Sequence, residues 1–168
     1  MHLLAAQPGD FVDDSSVITR MAQDPADIII LSAADTTLAL LAAACPAAGG
    51  DADGFPSVRL ANLMYLRQPA AVDLYVDEVL QHARVIIIDH LGGESYWPYG
   101  TERIGVLCRA RGIALIMFSG DTLEDSNLLM KSTVDVDSCR ALWRYLREGG
   151  TANARSFYRY IGARFFAL

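Results

Sequence analysis

Lysine is almost missing from these 168 residues: Lys131 stands alone beside thirteen arginines, and the formal net charge is −6. Nucleic-acid affinity rests on basic residues that neutralise phosphates, so no nucleic-acid partner is expected. Arginines at 140, 144, 147, 155, 159 and 164 do gather cationic charge near the C-terminus. Two readings of them stay open, a solvated face on two amphipathic helices or a surface for an anionic partner. Cysteine is scarce as well. Cys45, Cys108 and Cys139 are far apart and odd in number, which suits reduced thiols in a cytoplasmic setting better than a disulfide framework or a zinc cluster. Although 52% of the chain is apolar, no apolar run approaches the roughly 18 residues of a membrane span, so no membrane association is expected. The first residues lack the basic start and longer apolar core of a signal peptide. Also absent are G-x-G-x-x-G, G-x-x-x-x-G-K-[ST] and G-x-S-x-G, which leaves no dinucleotide fingerprint, phosphate loop or nucleophile elbow.

What is present is a regular alternation. Apolar, β-branched runs at 3–6, 27–32, 58–62, 85–89 and 113–119 predict five strands. Between them, Asp35 is placed to cap a helix over 36–44. Val72, Tyr75, Val76, Val79, Leu80 and Ala83 mark one face of a second helix, and Ile104, Leu107 and Cys108 mark a third that Gly112 stops. Strands and helices alternating at this spacing predict an α/β doubly wound fold, flavodoxin- or Rossmann-like, with a five-stranded parallel sheet covered on both faces. Two further helices follow at 136–148 and 151–166, with Gly149-Gly150 between them. We expect residues 1–134 to form the doubly wound domain and 135–168 a helical pair that continues into segments absent here. The apolar stripe of Phe157, Ile161 and Phe165 needs a partner surface, either within this domain or outside these residues. The Pro46 to Pro56 stretch reads as a surface loop.

Parallel strands deliver their carboxyl ends to one edge of the sheet, where open α/β folds bind ligands. That edge should collect Ser32 and Asp35, Asn62, Asp89 and His90, and Ser119, Gly120 and Asp121. Asp89 beside His90 invites an acid-base or metal reading, with Glu94 as a third ligand. Neighbours on a strand point to opposite faces, however, so a structural reading of both residues stands beside it. Gly92 and Gly93 can admit close backbone approach to a ligand, and Tyr96, Trp97 and Tyr99 offer flat faces; the alternative is a turn with aromatic packing over the sheet edge. Pro98 fits the first turn of the following helix. A receiver-type phosphoacceptor domain is excluded: the first predicted strand ends without acidic residues, and Ser119-Gly120 stands where the lysine belongs.

Five segments carry a resemblance: Ala26-Asp-Ile-Ile-Ile-Leu-Ser-Ala-Ala-Asp35, Pro56-Ser-Val-Arg-Leu-Ala-Asn-Leu63, Val72-Asp-Leu-Tyr-Val76, Leu91-Gly-Gly-Glu-Ser-Tyr-Trp-Pro-Tyr-Gly100 and Phe118-Ser-Gly-Asp121. In this order they resemble the N-terminal region of the CobN-type large subunit of ATP-dependent cobaltochelatase, a family related to the magnesium chelatase large subunit. The resemblance implies a part in inserting cobalt into hydrogenobyrinic acid a,c-diamide during aerobic cobalamin biosynthesis. It implies as partners the remaining domains of the large subunit, an AAA+ ATPase and companion chelatase subunits that hold the ATP, and a corrinoid substrate. Family large subunits are several times longer, so most of the chelating machinery would lie outside these residues. If this region touches the macrocycle, Gly92 and Gly93 would admit the ring edge and Tyr96 and Trp97 would stack on it. Asn62, Ser119 and Asp121 would then meet its polar side chains, with His90 and Glu94 as metal-ligand candidates. The other readings are a non-catalytic structural or interaction module and a freestanding tetrapyrrole- or metal-binding protein.

Overall fold

Isoleucine-rich runs bounded by polar residues form the strands of the structure, a computed structural model that describes Ile18, residues 20–46 and residues 54–168. The four are β1 (Ile28–Ser32), β2 (Val58–Asn62), β3 (Val85–His90) and β4 (Ala114–Ser119), all parallel and in the order β2-β1-β3-β4. The described sheet therefore has four strands where five were expected. The run at 3–6, read as the first strand, lies outside the described residues, as does most of the Pro46 to Pro56 loop. Every residue of β1 and β3 is buried, whereas β2 at the edge is half-buried. Continuous rather than alternating hydrophobicity in β1 and β3 follows from coverage on both faces.

Among the described residues six helices supply that coverage: α1 (Asp35–Ala44), α2 (Pro69–Glu78), α3 (Pro98–Arg111), α4 (Ser126–Met130), α5 (Val136–Glu148) and α6 (Gly150–Phe166). Right-handed crossovers send α1 to one face and α2 and α3 to the other. On the second face Val72, Tyr75 and Val76 meet Ile104, Leu107 and Cys108 over Ile29, Ile86 and Leu115. On the first, α1 is joined by α5 and α6. Leu142, Phe157 and Ile161 are fully buried with Leu41 over Ile28, Ile30 and Phe118, and the Tyr158 hydroxyl donates to Leu41 O at 2.9 Å. The C-terminal apolar stripe thus finds its partner surface inside this fold, with Phe165 partly buried at its end.

Helix boundaries carry their sequence signals in part: α2 ends at Glu78, so Val79, Leu80 and Ala83, read as part of its face, lie at and around the 3-10 turn Leu80–His82 that follows, and α6 starts at Gly150 instead of 151. Pro98 opens α3, and Gly112 ends it in the left-handed region at φ 68°. Asp35 does not cap α1: the N-cap is Ala34, and Asp35 is the first helical residue, its Oδ1 accepting from Asn62 Nδ2 at 2.7 Å. Ser32 Oγ takes the Ala34 N–H instead. The short α4 was not anticipated; Asp125 caps it by accepting from the N–H groups of Asn127 and Leu128.

Candidate functional site

Strand register sets out the carboxyl edge row by row. Asn62 and Asp89 flank Ser32, and Phe118 flanks Asp89; one step further His90 lies beside Ser119. Cross-strand neighbours share a face, so Ser32 and Asp89 point toward α5 and α6 while His90 and Ser119 point toward α2 and α3.

On the α5 side, Asp89 is 2% exposed and fully engaged. Its Oδ2 accepts from Ser32 Oγ at 2.7 Å and its Oδ1 from Arg147 Nη2 at 3.1 Å. Arg147 also donates through Nη1 to Gly120 O, and the Gly120 N–H donates to His90 O at 2.7 Å. Burial raises the Asp89 carboxyl above its ordinary range, partly offset by the Ser32 hydrogen bond and the Arg147 charge. The group is committed to holding α5 and the loop after β4 against the sheet.

His90 lies on the opposite face and does not pair with Asp89, as alternation requires. Its Nδ1 faces Leu91 O at 3.1 Å and Gly92 O at 3.4 Å, so the proton sits on Nδ1; Nε2 is buried without a partner. The ring stands edge-on to Tyr96 and tilted to Trp97, with centroids 6.1 and 6.2 Å away. Burial lowers its pKa, which makes it a neutral anchor beneath the Gly-Gly loop. Glu94 opens the 3-10 turn Glu94–Tyr96. Among the described residues, no three His, Cys, Asp or Glu side chains gather where they could hold a metal ion.

Trp97 is not a stacking surface. Its indole is 5% exposed, Nε1 donates to Leu66 O at 2.8 Å, and Gly100 packs so closely against the ring that no Cβ fits. Large apolar rings with one donor gain most when the ring is buried and the N–H is paired, which this site provides. The open aromatic is Tyr96, 47% exposed, beside a hollow of about 210 Å³ floored by Leu63, Met64 and Arg67. Tyr99 donates its hydroxyl to Asp73 and turns away along α2.

Between the loops that follow β3 and β4 lies an open crevice of about 320 Å³, lined by Gly92, Gly93, Ser119, Asp121, Asp125 and Asn127 among others. It brings together four of the residues singled out in the sequence. Asn62 stands three strand spacings away, roughly 14 Å at ~4.8 Å each, with its amide bound to Asp35 and its Oδ1 accepting from Met64 N. Ser119 Oγ accepts from Asp121 N at 3.1 Å, and Asp121 Oδ1 from Thr122 N at 2.9 Å. Glu124 on the rim is held by Arg140 through two 2.7 Å hydrogen bonds, which keep its carboxyl below the usual range. The lining is rich in acceptors and suits a ligand that presents N–H or O–H donors. Asp125 and Asn127 were missed in the sequence; an aspartate just before Ser-Asn-Leu-Leu is an N-cap signal that could have found them.

No protein-family model matches the chain. Over 98% of its length the chain is 46% identical to the aerobic cobaltochelatase subunit CobN of Pseudomonas aeruginosa, and over 97% it is 41% identical to the same subunit of a Sinorhizobium species. This chain belongs to the CobN family. It matches the N-terminal part of CobN and spans 13% and 12% of the length of those two relatives. The catalytic subunit of cobaltochelatase from Mycobacterium tuberculosis shares the fold, with a TM-score of 0.64 and 24% identity over 84% of this chain and 10% of that one. No helix among the described residues is long and apolar enough to cross a membrane.

Proposed function

We propose that this chain serves as the N-terminal region of a cobaltochelatase large subunit in aerobic cobalamin biosynthesis, in the cytoplasm, and that its carboxyl-edge crevice meets the corrinoid substrate. Identity above 40% to CobN subunits over nearly the whole chain carries this reading. The substrate is hydrogenobyrinic acid a,c-diamide, and cobalt is the ion transferred by the whole assembly. ATP belongs to an AAA+ partner, in keeping with a sequence that has no phosphate loop. The carboxylates of Asp121 and Asp125 accept from amide groups on the macrocycle, the bare backbone at Gly92 and Gly93 admits its edge, and Tyr96, in the neighbouring hollow beside Gly92, offers a flat face.

The test is titration of the chain with metal-free hydrogenobyrinic acid a,c-diamide, followed by tryptophan emission. Trp143 donates to Ser119 O at 3.0 Å and Trp97 lies under the Gly-Gly loop, so both report on the crevice. A Gly93→Val variant fills the crevice on the side of Asp125, whose Oδ2 lies 3.5 Å from a Cβ at that position, and leaves the core untouched. Saturable quenching, weakened about 10-fold in Gly93→Val, is the expected result. The same affinity in both proteins, or no binding, overturns the crevice reading.

The rival reading is a module that only packs against further domains. Its sequence support, the C-terminal stripe, is buried internally, but Tyr65, Leu91 and Leu123 remain exposed and are its structural support. Absence of quenching in a normally folded chain selects it.

A further inference from the structure

Arg155 and Arg159 stand one turn apart on α6, and both are exposed. Among the described residues neither has a carboxylate within ion-pair distance, a state shared with Arg59, Arg67, Arg84, Arg109, Arg111 and Arg144, while Arg20, Arg103, Arg140, Arg147 and Arg164 are each paired with an acid. Like charges at this spacing repel, so the pair is unfavourable for the helix unless an anion sits between them. Both border a cavity of about 430 Å³ toward the amino ends of the strands, away from the carboxyl-edge crevice. This is within the roughly 300–1,000 Å³ of small-molecule sites.

Among the described residues the rest of the lining is apolar: Ala44 from the end of α1, Pro46, Phe55 ahead of β2, Gly162 and Leu168. Phe55 is held edge-on against Tyr158, with ring centroids 6.1 Å apart, and Tyr158 is itself anchored to α1 through its hydroxyl. A Cβ on residue 162 would come within 3.2 Å of Phe55, so glycine lets that ring settle into the floor. An apolar floor beside two guanidinium groups that meet no carboxylate among the described residues suits a ligand with both an apolar body and an anionic group. An inorganic anion would leave the floor in water, and a neutral apolar molecule would leave the two charges opposed.

We propose that this cavity binds a small apolar molecule bearing a carboxylate, its body against Phe55 and Leu168 and its carboxylate between Arg155 and Arg159. The assignment does not rest on the proposed function, and the two sites fail or stand separately because they lie at opposite edges of the sheet.

The experiment is an NMR titration of the ¹⁵N-labelled chain with 2-naphthoate and, in parallel, with 2-naphthamide, a neutral analogue of the same shape. Saturable shifts at Phe55 and Gly162 are expected with naphthoate, with affinity at least about 10-fold weaker for the amide. The double variant Arg155→Gln/Arg159→Gln should lose naphthoate binding to the same degree. Both side chains are exposed, so its fold, checked by circular dichroism, is retained. Arg144→Gln, an exposed arginine on α5 outside the cavity, keeps the original affinity. Equal binding of naphthoate and naphthamide, undiminished affinity in the double variant, shifts centred elsewhere, or no saturation each overturns the proposal.

Discussion

Arg147 reaches from α5 to Asp89 at the end of β3, Nη2 to Oδ1 at 3.1 Å, across 58 residues of sequence. The carboxylate is buried, and the guanidinium is the cation that compensates it. Removing one partner of a buried pair strands the other, so Arg147→Met should lower stability by about 3 kcal/mol. Asp89→Asn behaves differently. Burial raises the Asp89 pKa, which means the charged form is the one the fold disfavours. The contribution of this group to stability is complete below the unfolded pKa near 3.8 and declines as pH rises through its higher folded value. Asparagine keeps a single acceptor oxygen, which can face Arg147 while its amide N–H turns to Ser32 Oγ, so Asp89→Asn should cost less than Arg147→Met at pH 7 and should remove that decline. Urea unfolding of the two variants and their double across pH 4–8 checks both statements, and a fully additive double would refute the pairing.

Gly100 and Trp97 make a second pair that substitution can probe. With no room for a Cβ against the indole, Gly100→Ala must push Trp97 from its slot and break the Nε1 hydrogen bond to Leu66 O. Overpacking of this kind costs about 3 kcal/mol. The expected signature is a lower urea midpoint together with red-shifted tryptophan emission. Gly93→Val, at the crevice, should show neither.

The thiols should separate by burial. Cys108 is buried and its pKa is pushed up to about 12, and burial also raises that of Cys139, whereas Cys45 is only partly buried at the end of α1. Reaction needs the thiolate, so native protein should consume about one equivalent of a disulfide reagent such as DTNB, and Cys45→Ser should abolish it. Consumption of three equivalents without denaturant would contradict the burial of the other two.

How far the sequence reaches depends on the range of the interactions involved. Isoleucine runs announce β1 and β3 because a strand buried on both faces needs no alternation, and Gly112 announces the end of α3 because one residue's backbone decides it. α5 begins at Val136 and ends at Glu148, where its pattern places it. The short α4 escaped because five residues carry too little periodicity and Asp125 alone defines its start. Trp97 misled because an aromatic residue in a loop is equally suited to burial and to stacking; Gly100, three residues on, is what admits the ring. Arg147 had no local mark at all, since its partner is set by how α5 crosses the sheet. Asn62 was placed correctly at the carboxyl edge, yet strand order put three spacings between it and Ser119.

His90 supplies the last prediction. Its imidazole is completely buried; Nδ1 donates to the Leu91 carbonyl, and Nε2 meets no partner. Protonation would put a second N–H into that unpartnered position, so burial lowers the pKa below 6.5; the Leu91 and Gly92 carbonyls and the nearby Asp125 and Asp89 carboxylates act in the other direction. Because the folded value lies below the unfolded one, the unfolded chain binds the extra proton first. The stability contributed by neutral His90 is therefore complete above pH 6.5 and is lost as pH falls through the folded pKa. Thermal midpoints of His90→Gln should lack that part of the acid-side decline below pH 6.5. Imidazole ¹⁵N shifts of the native chain should show the Nδ1–H tautomer at pH 7, and an Nε2–H tautomer would mean that the Gly-Gly loop is not held by His90.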